Sequence, residues 1–336
     1  MRTEEEARGP LPLPRELYIE VTNRCNSRCR TCVRTFETLE PLRDLALDEF
    51  RALVDQVAVL RRVVLHGVGE PLLNADLAAM IAYLKRRDEP PHVLFNSNAI
   101  LLTSGTQEAL IDAGLDEFRI STDAAHPDLY THIRGVDAFD RMVVNVATFA
   151  ARIQEAGHGP RLSLWFTAMH ENLAELPELV RLAHRLGVGE VYVQRLVYYG
   201  QGLAQQTQSL FRAMRATEEE FLAQAETLAE ELGIAFSASG ATTPRESLLS
   251  PDGNPRPWAG CRRPSSLIYV TANGNVLPCC FSPFTTSDYR GLVLGNAFEA
   301  PLSKIWNGVA YRRFRAALQS DSPPESCDRC GVCWSL

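Results

Sequence analysis

Several kinds of residue and segment are missing from this chain of 336 residues. Lysine occurs at only two positions, Lys85 and Lys304, so almost all of the 34 basic residues are arginine, a bias of genome composition rather than of mechanism. No apolar run reaches about 18 residues, which excludes a membrane-spanning helix. The first ten residues are charged and contain no apolar stretch, so they are not a secretory signal. We therefore expect a cytoplasmic protein with no membrane partner.

Charge gives a further exclusion. The formal net charge is −7 and is spread along the chain. A nucleic-acid-binding surface needs clustered positive charge, so we expect no nucleic-acid partner.

Cysteine is also absent from a long central stretch, between Cys32 and Cys261, although the chain contains nine cysteines. In a reducing compartment such cysteines are metal ligands or reactive thiols more often than disulfides. One group lies near the N-terminus and the other follows residue 260, so the pattern predicts two metal sites. The cysteines are Cys25, Cys29 and Cys32 in the first group and Cys261, Cys279, Cys280, Cys327, Cys330 and Cys333 in the second.

Short apolar runs alternate with amphipathic segments over residues 17–200. The predicted strands are Leu17–Thr22, Val63–His66, Val93–Ser97, Glu117–Thr122, Leu162–Ala168 and Glu190–Leu196. Six βα units in series predict an α/β fold with a parallel sheet and right-handed crossovers. A full eight-unit barrel needs about 250 residues, so we predict a partial barrel.

The rest of the chain divides at changes of composition. Residues 1–16 form an N-terminal tail, and residues 201–257 form a connecting segment with a helix over Thr217–Leu232. Residues 258–336 form a small Cys-rich module. Within it, Leu267–Thr271, the pair Asn273-Gly274 and Val276–Leu277 predict a β-hairpin.

The N-terminal cysteines follow the first predicted strand with the spacing Cys-x3-Cys-x2-Cys. Three thiolates on one loop can hold three corners of a cubic iron–sulfur cluster and leave one iron open to a small ligand. A zinc site completed by a histidine is the alternative, and the nearest downstream histidine is His66.

This triplet, placed ahead of a run of βα units, resembles the radical S-adenosylmethionine (radical SAM) superfamily. The resemblance implies a partial (β/α)6 barrel and a 4Fe–4S cluster whose open iron binds S-adenosylmethionine. It also implies that reductive cleavage of this cofactor gives a 5′-deoxyadenosyl radical, which abstracts a substrate hydrogen.

Further motifs carry the resemblance. Gly67-Val-Gly69-Glu70 resembles the family's Gly-Gly-Glu element, and Asn96-Ser97-Asn98 ends the third strand at the place of Thr-Asn-Gly. Ser121-Thr-Asp123 resembles Ser-x-Asp, and an arginine follows it. Thr31 replaces the usual aromatic residue before the third cysteine, so adenine contacts are expected from the sixth strand. The cofactor-binding residues implied in this way are Gly67, Gly69, Glu70, Asn98, Ser121, Asp123, Arg134, Val193 and Leu196.

The C-terminal cysteines resemble the SPASM domain and its shorter relative, the twitch domain. A full SPASM domain uses seven cysteines for two clusters and this chain has six, so the resemblance implies one auxiliary 4Fe–4S cluster. Its expected ligands are Cys261, Cys279, Cys327 and Cys330, with Cys333 as a substitute for the last. Spacing alone would also allow zinc. Cys280 is either a buried structural thiol or a hydrogen-atom donor to a substrate radical.

Two classes of substrate fit such an enzyme. The first is a small polyol, sugar or aminocyclitol, dehydrogenated or epimerised as in aminoglycoside pathways, with a flavodoxin- or ferredoxin-type electron donor. The alternative is a peptide, modified by a radical maturase. We favour the small molecule, because many maturases carry an N-terminal leader-recognition domain and only 16 residues precede the first strand here.

Two further points stay open in the sequence. The proton acceptor is expected among Glu70, Asp123, His126 and His132, at the carboxyl ends of the strands. The alternative to an enzyme is a zinc-stabilised binding module.

Overall fold

The computed structural model describes residues 10–240, 242–249, 256–286, 288–328 and 330. These residues build one ten-stranded sheet, in the order β10-β9-β8-β1-β2-β3-β4-β5-β6-β7. The strands are β1 (Glu16–Ile19), β2 (Arg62–Val64), β3 (His92–Ser97), β4 (Glu117–Ser121), β5 (Arg161–Ala168), β6 (Glu190–Arg195), β7 (Ala235–Ala238), β8 (Leu267–Val270), β9 (Asn275–Leu277) and β10 (Gly295–Asn296).

Helices connect the parallel strands and follow the C-terminal hairpin. In the described part of the chain they are α1 (Leu47–Val54), α2 (Leu77–Lys85), α3 (Ser104–Asp112), α4 (Pro127–Arg134), α5 (Phe139–Ala156), α6 (Leu176–Leu186), α7 (Ala216–Leu232), α8 (Pro244–Leu249), α9 (Arg263–Ser266), α10 (Leu302–Trp306), α11 (Val309–Leu318) and α12 (Glu325–Asp328). Helix α5 shows why they form: its buried residues Phe139, Met142, Val146 and Phe149 recur every three or four positions and face the sheet.

The predicted fold class is confirmed. Neighbouring strands from β1 to β7 pair in parallel, and helices cross between them. All six predicted strands are present. A seventh parallel strand, β7, lies in the segment that was expected to be helical, after α7 ends at Gly233 in the left-handed conformation with φ +67°.

The Cys-rich module is joined to this sheet. Strand β8 pairs in parallel with β1, and the predicted hairpin turns at Gly274, whose φ is +81°. Strand β10 then adds to β9. The cysteines before β8 and after β9 are therefore fixed to the first strand of the barrel by backbone hydrogen bonds.

Within the described residues, no helix combines the length and the apolar character that crossing a membrane requires.

Candidate active site

A cavity of about 500 Å³ occupies the concave side of the parallel sheet. Side chains from all seven parallel strands line it, together with the loop Asn23–Cys32 that follows β1, which we name the Cys loop. The C-terminal module closes the cavity with Arg263, Cys280 and Phe281. This volume is typical of a pocket for a cofactor or a small ligand.

All three N-terminal cysteines line this cavity. The backbone of the Cys loop is held from outside: Thr35 Oγ1 donates to the Cys29 carbonyl (2.8 Å) and Arg34 Nε to the Asn23 carbonyl (3.0 Å). Burial, assisted by the neighbouring cysteines, raises the pKa of Cys25 to about 11 and that of Cys32 to about 12. Three thiols buried together ionise only beside strong positive charge, so the donor set fits an iron–sulfur cluster.

The two glycines after β2 are required by the protein itself. A methyl group on Gly67 would lie 2.2 Å from Oε1 of Glu20, and one on Gly69 would lie 2.0 Å from the carbonyl oxygen of Thr22. Both residues also line the cavity. The glycines therefore let the loop pack against β1 and its extension, in addition to any approach of a ligand.

The carboxylate of Glu70 is saturated by hydrogen bonds. It accepts from Ser97 Oγ (2.7 Å), from the Asn98 amide (2.7 Å) and from the Leu72 amide (3.1 Å). Burial raises its pKa, and these bonds oppose the shift. Glu70 thus ties the loop after β2 to the end of β3, and its expected role as the catalytic base stays a prediction.

Asn98 continues this connection to the Cys loop. Its Nδ2 donates to Asn26 Oδ1 (2.7 Å) and to Ser27 Oγ (3.0 Å). Both partners lie between Cys25 and Cys29. Asn98 therefore positions the cysteines.

Asp123 and Arg134 form a buried ion pair at the cavity wall, with 2.8 Å between Arg134 Nη1 and Asp123 Oδ2. The other oxygen of Asp123 accepts from the Thr167 amide (2.8 Å), so this carboxylate is also fully engaged. Among the described residues, the buried Nε of Arg134 has no hydrogen-bond partner. This orphaned donor fits the cofactor carboxylate that the resemblance implies, and Ser121 lines the cavity as well.

Some predicted positions need correction. Val193 does not line the cavity: it lies on the opposite face of β6 in the hydrophobic core, whereas its neighbours Tyr192 and Gln194 face the cavity. Leu196 lines it as expected. His126 and His132 are outside the cavity, where they pair with Glu175 and Glu171.

Sequence reasoning missed the inner part of the cavity. Alternate residues of β4 and β6 point into it, and so do single residues of other strands. Polar residues alternating with apolar ones in otherwise buried strands were the available signal. The missed lining residues include Tyr18, Arg62, His66, Arg119, Trp165 and Tyr192.

A second, smaller cavity lies in the C-terminal module. Four cysteines line it, Cys261, Cys279, Cys327 and Cys330, which are the expected auxiliary ligands. Burial, assisted by Cys279, raises the pKa of Cys261 to about 12. Cys333 lies outside the described residues. In the part of the chain that the structure describes, no group of three His, Cys, Asp or Glu side chains is arranged to hold a single metal ion.

Two residues lie between the main cavity and the auxiliary cavity and line both of them. Arg263 and Phe281 line each of them, with the Arg263 guanidinium carbon 4.7 Å from the centre of the Phe281 ring. Cys280 faces the main cavity, although the adjacent Cys279 faces the auxiliary one. Arg263 and Phe281 therefore form a wall that the main cavity and the auxiliary cavity share.

Comparison with known families assigns both ends of the chain. Residues 19–183 match the model of the radical SAM superfamily, and residues 261–331 match SPASM, an iron–sulfur cluster-binding domain. The expected cofactors, S-adenosylmethionine and iron–sulfur clusters, are confirmed by these two domains. These two matches favour an enzyme over the alternative hypothesis of a zinc-stabilised binding module.

Similar proteins span nearly the whole chain. A PqqA peptide cyclase of Gluconobacter oxydans is 27% identical over 321 residues, covering 94% of this chain and 83% of the relative. Streptococcus suis SuiB bound to precursor peptide SuiA superposes with a TM-score of 0.66 at 19% identity, covering 96% and 70% of the two chains. BtrN in complex with AdoMet and 2-DOIA gives a TM-score of 0.50 at 17% identity, covering 95% and 93%.

These similarities correct one expectation. A sugar or aminocyclitol was favoured as the partner over a peptide, and that preference is wrong, because the similar proteins include several PqqA peptide cyclases that span the chain. The expected aminoglycoside branch is supported only in part, by the structural similarity to BtrN.

Proposed function

We propose that this chain, an enzyme with a radical SAM domain and a SPASM domain, cyclises a peptide by forming a cross-link within it. The observation that carries the proposal is the similarity to PqqA peptide cyclases, which extends over 94% of the chain and includes both domains. The similarity to BtrN spans the chain as well, covering 95% of it, but at 17% identity it supports the fold alone.

The cysteines divide between two cofactor sites in this proposal. Cys25, Cys29 and Cys32 hold the cluster that binds S-adenosylmethionine, with Arg134 Nε available to the cofactor carboxylate. Cys261, Cys279, Cys327 and Cys330 hold one auxiliary cluster. When bound, these groups together supply hydrogen-atom abstraction from a substrate carbon and one-electron oxidation of the radical that results.

The protein's own residues position the substrate between the two sites. The cavity begins at the Cys loop and ends against Arg263, Cys280 and Phe281, which also border the auxiliary site. A side chain inserted here is exposed to both cofactor sites at once. Residues of the strands and of the C-terminal module both contribute to the wall of this cavity.

Of the three side chains predicted to be catalytic, only Cys280 faces the cavity without an ion pair or a set of saturating hydrogen bonds. Its thiol accepts from Arg263 Nη1 at 3.6 Å, a long contact for sulfur. Glu70 and Asp123 are positioning residues in our proposal. The hydrogen-atom donor role of Cys280 stays a prediction.

Loss of hydrogen from the peptide tests the proposal. A new bond between two side chains replaces one hydrogen on each, so the product is lighter than the substrate by two hydrogen atoms. We expect the anaerobic holoenzyme, given a chemical reductant, S-adenosylmethionine and synthetic copies of short peptides encoded beside its gene, to give such a product with one 5′-deoxyadenosine per cross-link. Mass spectrometry measures both.

Two variants define the controls. Cys25→Ala removes a ligand of the first cluster and should abolish both products. Cys280→Ala tests the hydrogen-donor role, because a cross-linking reaction does not return a hydrogen atom to the substrate and should persist. Oxidation of aminocyclitols, with every peptide left unchanged, would overturn the proposal.

A further inference from the structure

The inner end of the main cavity is rich in arginine. It lies at the amino ends of the parallel strands, away from the Cys loop, which follows the carboxyl end of β1. Four arginines and two glutamates line this end, in a protein whose net charge is −7. They are Arg62 of β2, Glu117 and Arg119 of β4, Arg161 of β5, Glu190 of β6 and Arg263 of α9.

The two glutamates pair with two of the arginines, Arg119 and Arg161. Glu117 accepts from Arg119 Nε (2.7 Å) and lies 3.4 Å from Arg161 Nη2. Glu190 accepts from Ser237 Oγ (2.7 Å) and lies 4.0 Å from Arg161 Nε. The carboxylates are thus gathered at the Arg161 side of the cavity.

On the opposite side, Arg62 and Arg119 carry donors that have no acceptor among the described residues. In the described part of the chain, Arg62 makes no ion pair. Glu16 is its neighbour in register on β1, but Glu16 does not line the cavity. Arg119 uses only Nε toward Glu117, so its two terminal nitrogens have no acceptor among the described residues. The guanidinium of Arg119 is held 4.3 Å from the centre of the Trp165 ring, and Trp165 stacks on Tyr192 at 4.0 Å.

Arg62 and Arg119 line the same cavity as Tyr18, which lies on β1 beside the strand that carries Arg62. Burial raises the pKa of the Tyr18 hydroxyl, and the positive charges of Arg62, Arg263 and Arg119 oppose that rise. His66 adds no charge there, because burial and Arg119 lower its pKa to about 4. Enclosed cations are costly unless an anion pairs with them, and a guanidinium binds a carboxylate through two parallel hydrogen bonds.

We propose that Arg62, Arg119 and Tyr18 form a subsite for a carboxylate group of the substrate at the inner end of the cavity. The proposal rests on the proposed function in one respect, that the carboxylate belongs to a peptide. It comes either from an acidic side chain or from the C-terminus, and both present the same chemistry to the arginines. The stacked rings of Trp165 and Tyr192 provide an apolar wall for the carbon chain that carries it.

Calorimetry on the anaerobic holoenzyme separates the two sources without turnover. The probes are N-acetylglutamic acid amide against N-acetylglutamine amide for a side chain, and N-acetylalanine against its amide for a C-terminus. We expect one acid to bind about tenfold to a hundredfold more tightly than its neutral partner. Whichever acid it is identifies the source of the carboxylate.

The variants Arg62→Gln and Arg61→Gln form a matched pair. Arg62 lines the cavity, whereas the adjacent Arg61 is exposed and does not line it. We expect Arg62→Gln to remove the preference for the acid, Arg62→Lys to retain part of it, and Arg61→Gln to leave it unchanged. Because Arg62→Lys keeps the charge, it controls for misfolding.

Three results would overturn the subsite: equal binding of each acid and its amide, undiminished preference in Arg62→Gln, or binding of inorganic phosphate but of neither acid. The proposed function fails separately. If the acid binds as expected and no peptide is cross-linked, only the proposed function is lost. If peptides without carboxylates are cross-linked as fast as acidic ones, only the subsite is lost.

Discussion

Two neighbouring cysteines serve different cavities, and a turn at the end of β9 separates them. The amide of Ser282 donates to the Cys279 carbonyl (3.3 Å), and its hydroxyl donates to the same oxygen (2.7 Å). This turn directs the Cys279 side chain to the auxiliary site and that of Cys280 to the main cavity. A single backbone turn thus decides which thiol faces the auxiliary cavity.

The fourth auxiliary ligand can be identified by comparing two variants. Cys330 lines the auxiliary cavity with the other three cysteines, so Cys330→Ala should remove iron from this site and lower the iron content per chain by about half, as expected for two equal clusters. Cys333→Ala should leave it unchanged. Iron and sulfide analysis of anaerobically purified protein measures both, and an unchanged content in Cys330→Ala with a loss in Cys333→Ala would contradict the assignment.

The sequence predicts which cysteines lie together better than it predicts the partners of a carboxylate. Cysteines that share a cluster keep a spacing that is visible in the chain, and Cys261, Cys279, Cys327 and Cys330 meet as expected. The state of Glu70 depends on hydrogen-bond donors at the end of β3, a separate strand. Such long-range partners leave no local pattern, so a carboxylate that holds the structure looks like a base.

Among the elements, helix α4 supports the Cys loop most directly. The amides of Arg28 and Arg30 donate to the carbonyls of Arg134 (3.2 Å) and Ile133 (2.8 Å), at the C-terminal end of α4. The helix ends at Gly135, whose φ is +66°. The sequence did not predict this helix, because it is one short stretch of eight residues with few apolar positions.

Two helix-ending glycines test the importance of this contact. Gly135 and Gly157 have nearly the same φ, +66° and +68°, but a methyl group on Gly135 would lie 2.2 Å from the Arg28 carbonyl oxygen, whereas none of the described atoms lies within 4 Å of one on Gly157. Gly157→Ala should cost about 1 kcal/mol of stability, from its backbone conformation alone, and keep its iron. Gly135→Ala should displace the Cys loop and lose about half of its iron.

Thermal unfolding and iron analysis of the two variants separate conformational strain from the steric clash. Full iron content in Gly135→Ala would show that the Cys loop tolerates displacement.

The strands themselves were predictable, since each is an apolar run between turns. The pairing of β8 with β1 was not, because residues some 250 positions apart share no local signal.

Across the whole molecule, two buried glutamates join the barrel to the C-terminal module. Glu20 follows β1 and accepts from the Val68 amide (2.7 Å), in the loop after β2, and from the Ala272 amide (3.1 Å), in the hairpin turn. Glu40 accepts from Tyr289 Oη (2.6 Å) and from Asn275 Nδ2 (2.7 Å) in the module. The loop with the two glycines and the auxiliary hairpin are therefore held by one pair of carboxylates.

Stability should depend on pH through Glu20. Burial raises the pKa of its carboxyl from 4.5 to about 7, the negative charge of Glu40 adds to the shift, and the two backbone amides oppose it. The other titratable side chains that line the cavity beside this pair are Arg34, Glu37, Tyr269 and Tyr289. Since the folded state holds the proton more tightly than the unfolded state, this contribution is fully present below pH 4.5 and is lost as the pH rises through about 7.

The variant Glu20→Gln isolates this contribution, because glutamine resembles the protonated acid at every pH. A shift from 4.5 to about 7 corresponds to roughly 3 kcal/mol, so the thermal midpoint of the wild-type holoenzyme should fall between pH 5 and pH 8 relative to that of the variant. The exposed Glu299→Gln serves as the control and should follow the wild type. If the thermal midpoints of the wild type and of Glu20→Gln changed with pH in parallel, Glu20 would be ionised throughout this range. Its protonation would then not affect the stability of the junction between the barrel and the C-terminal module.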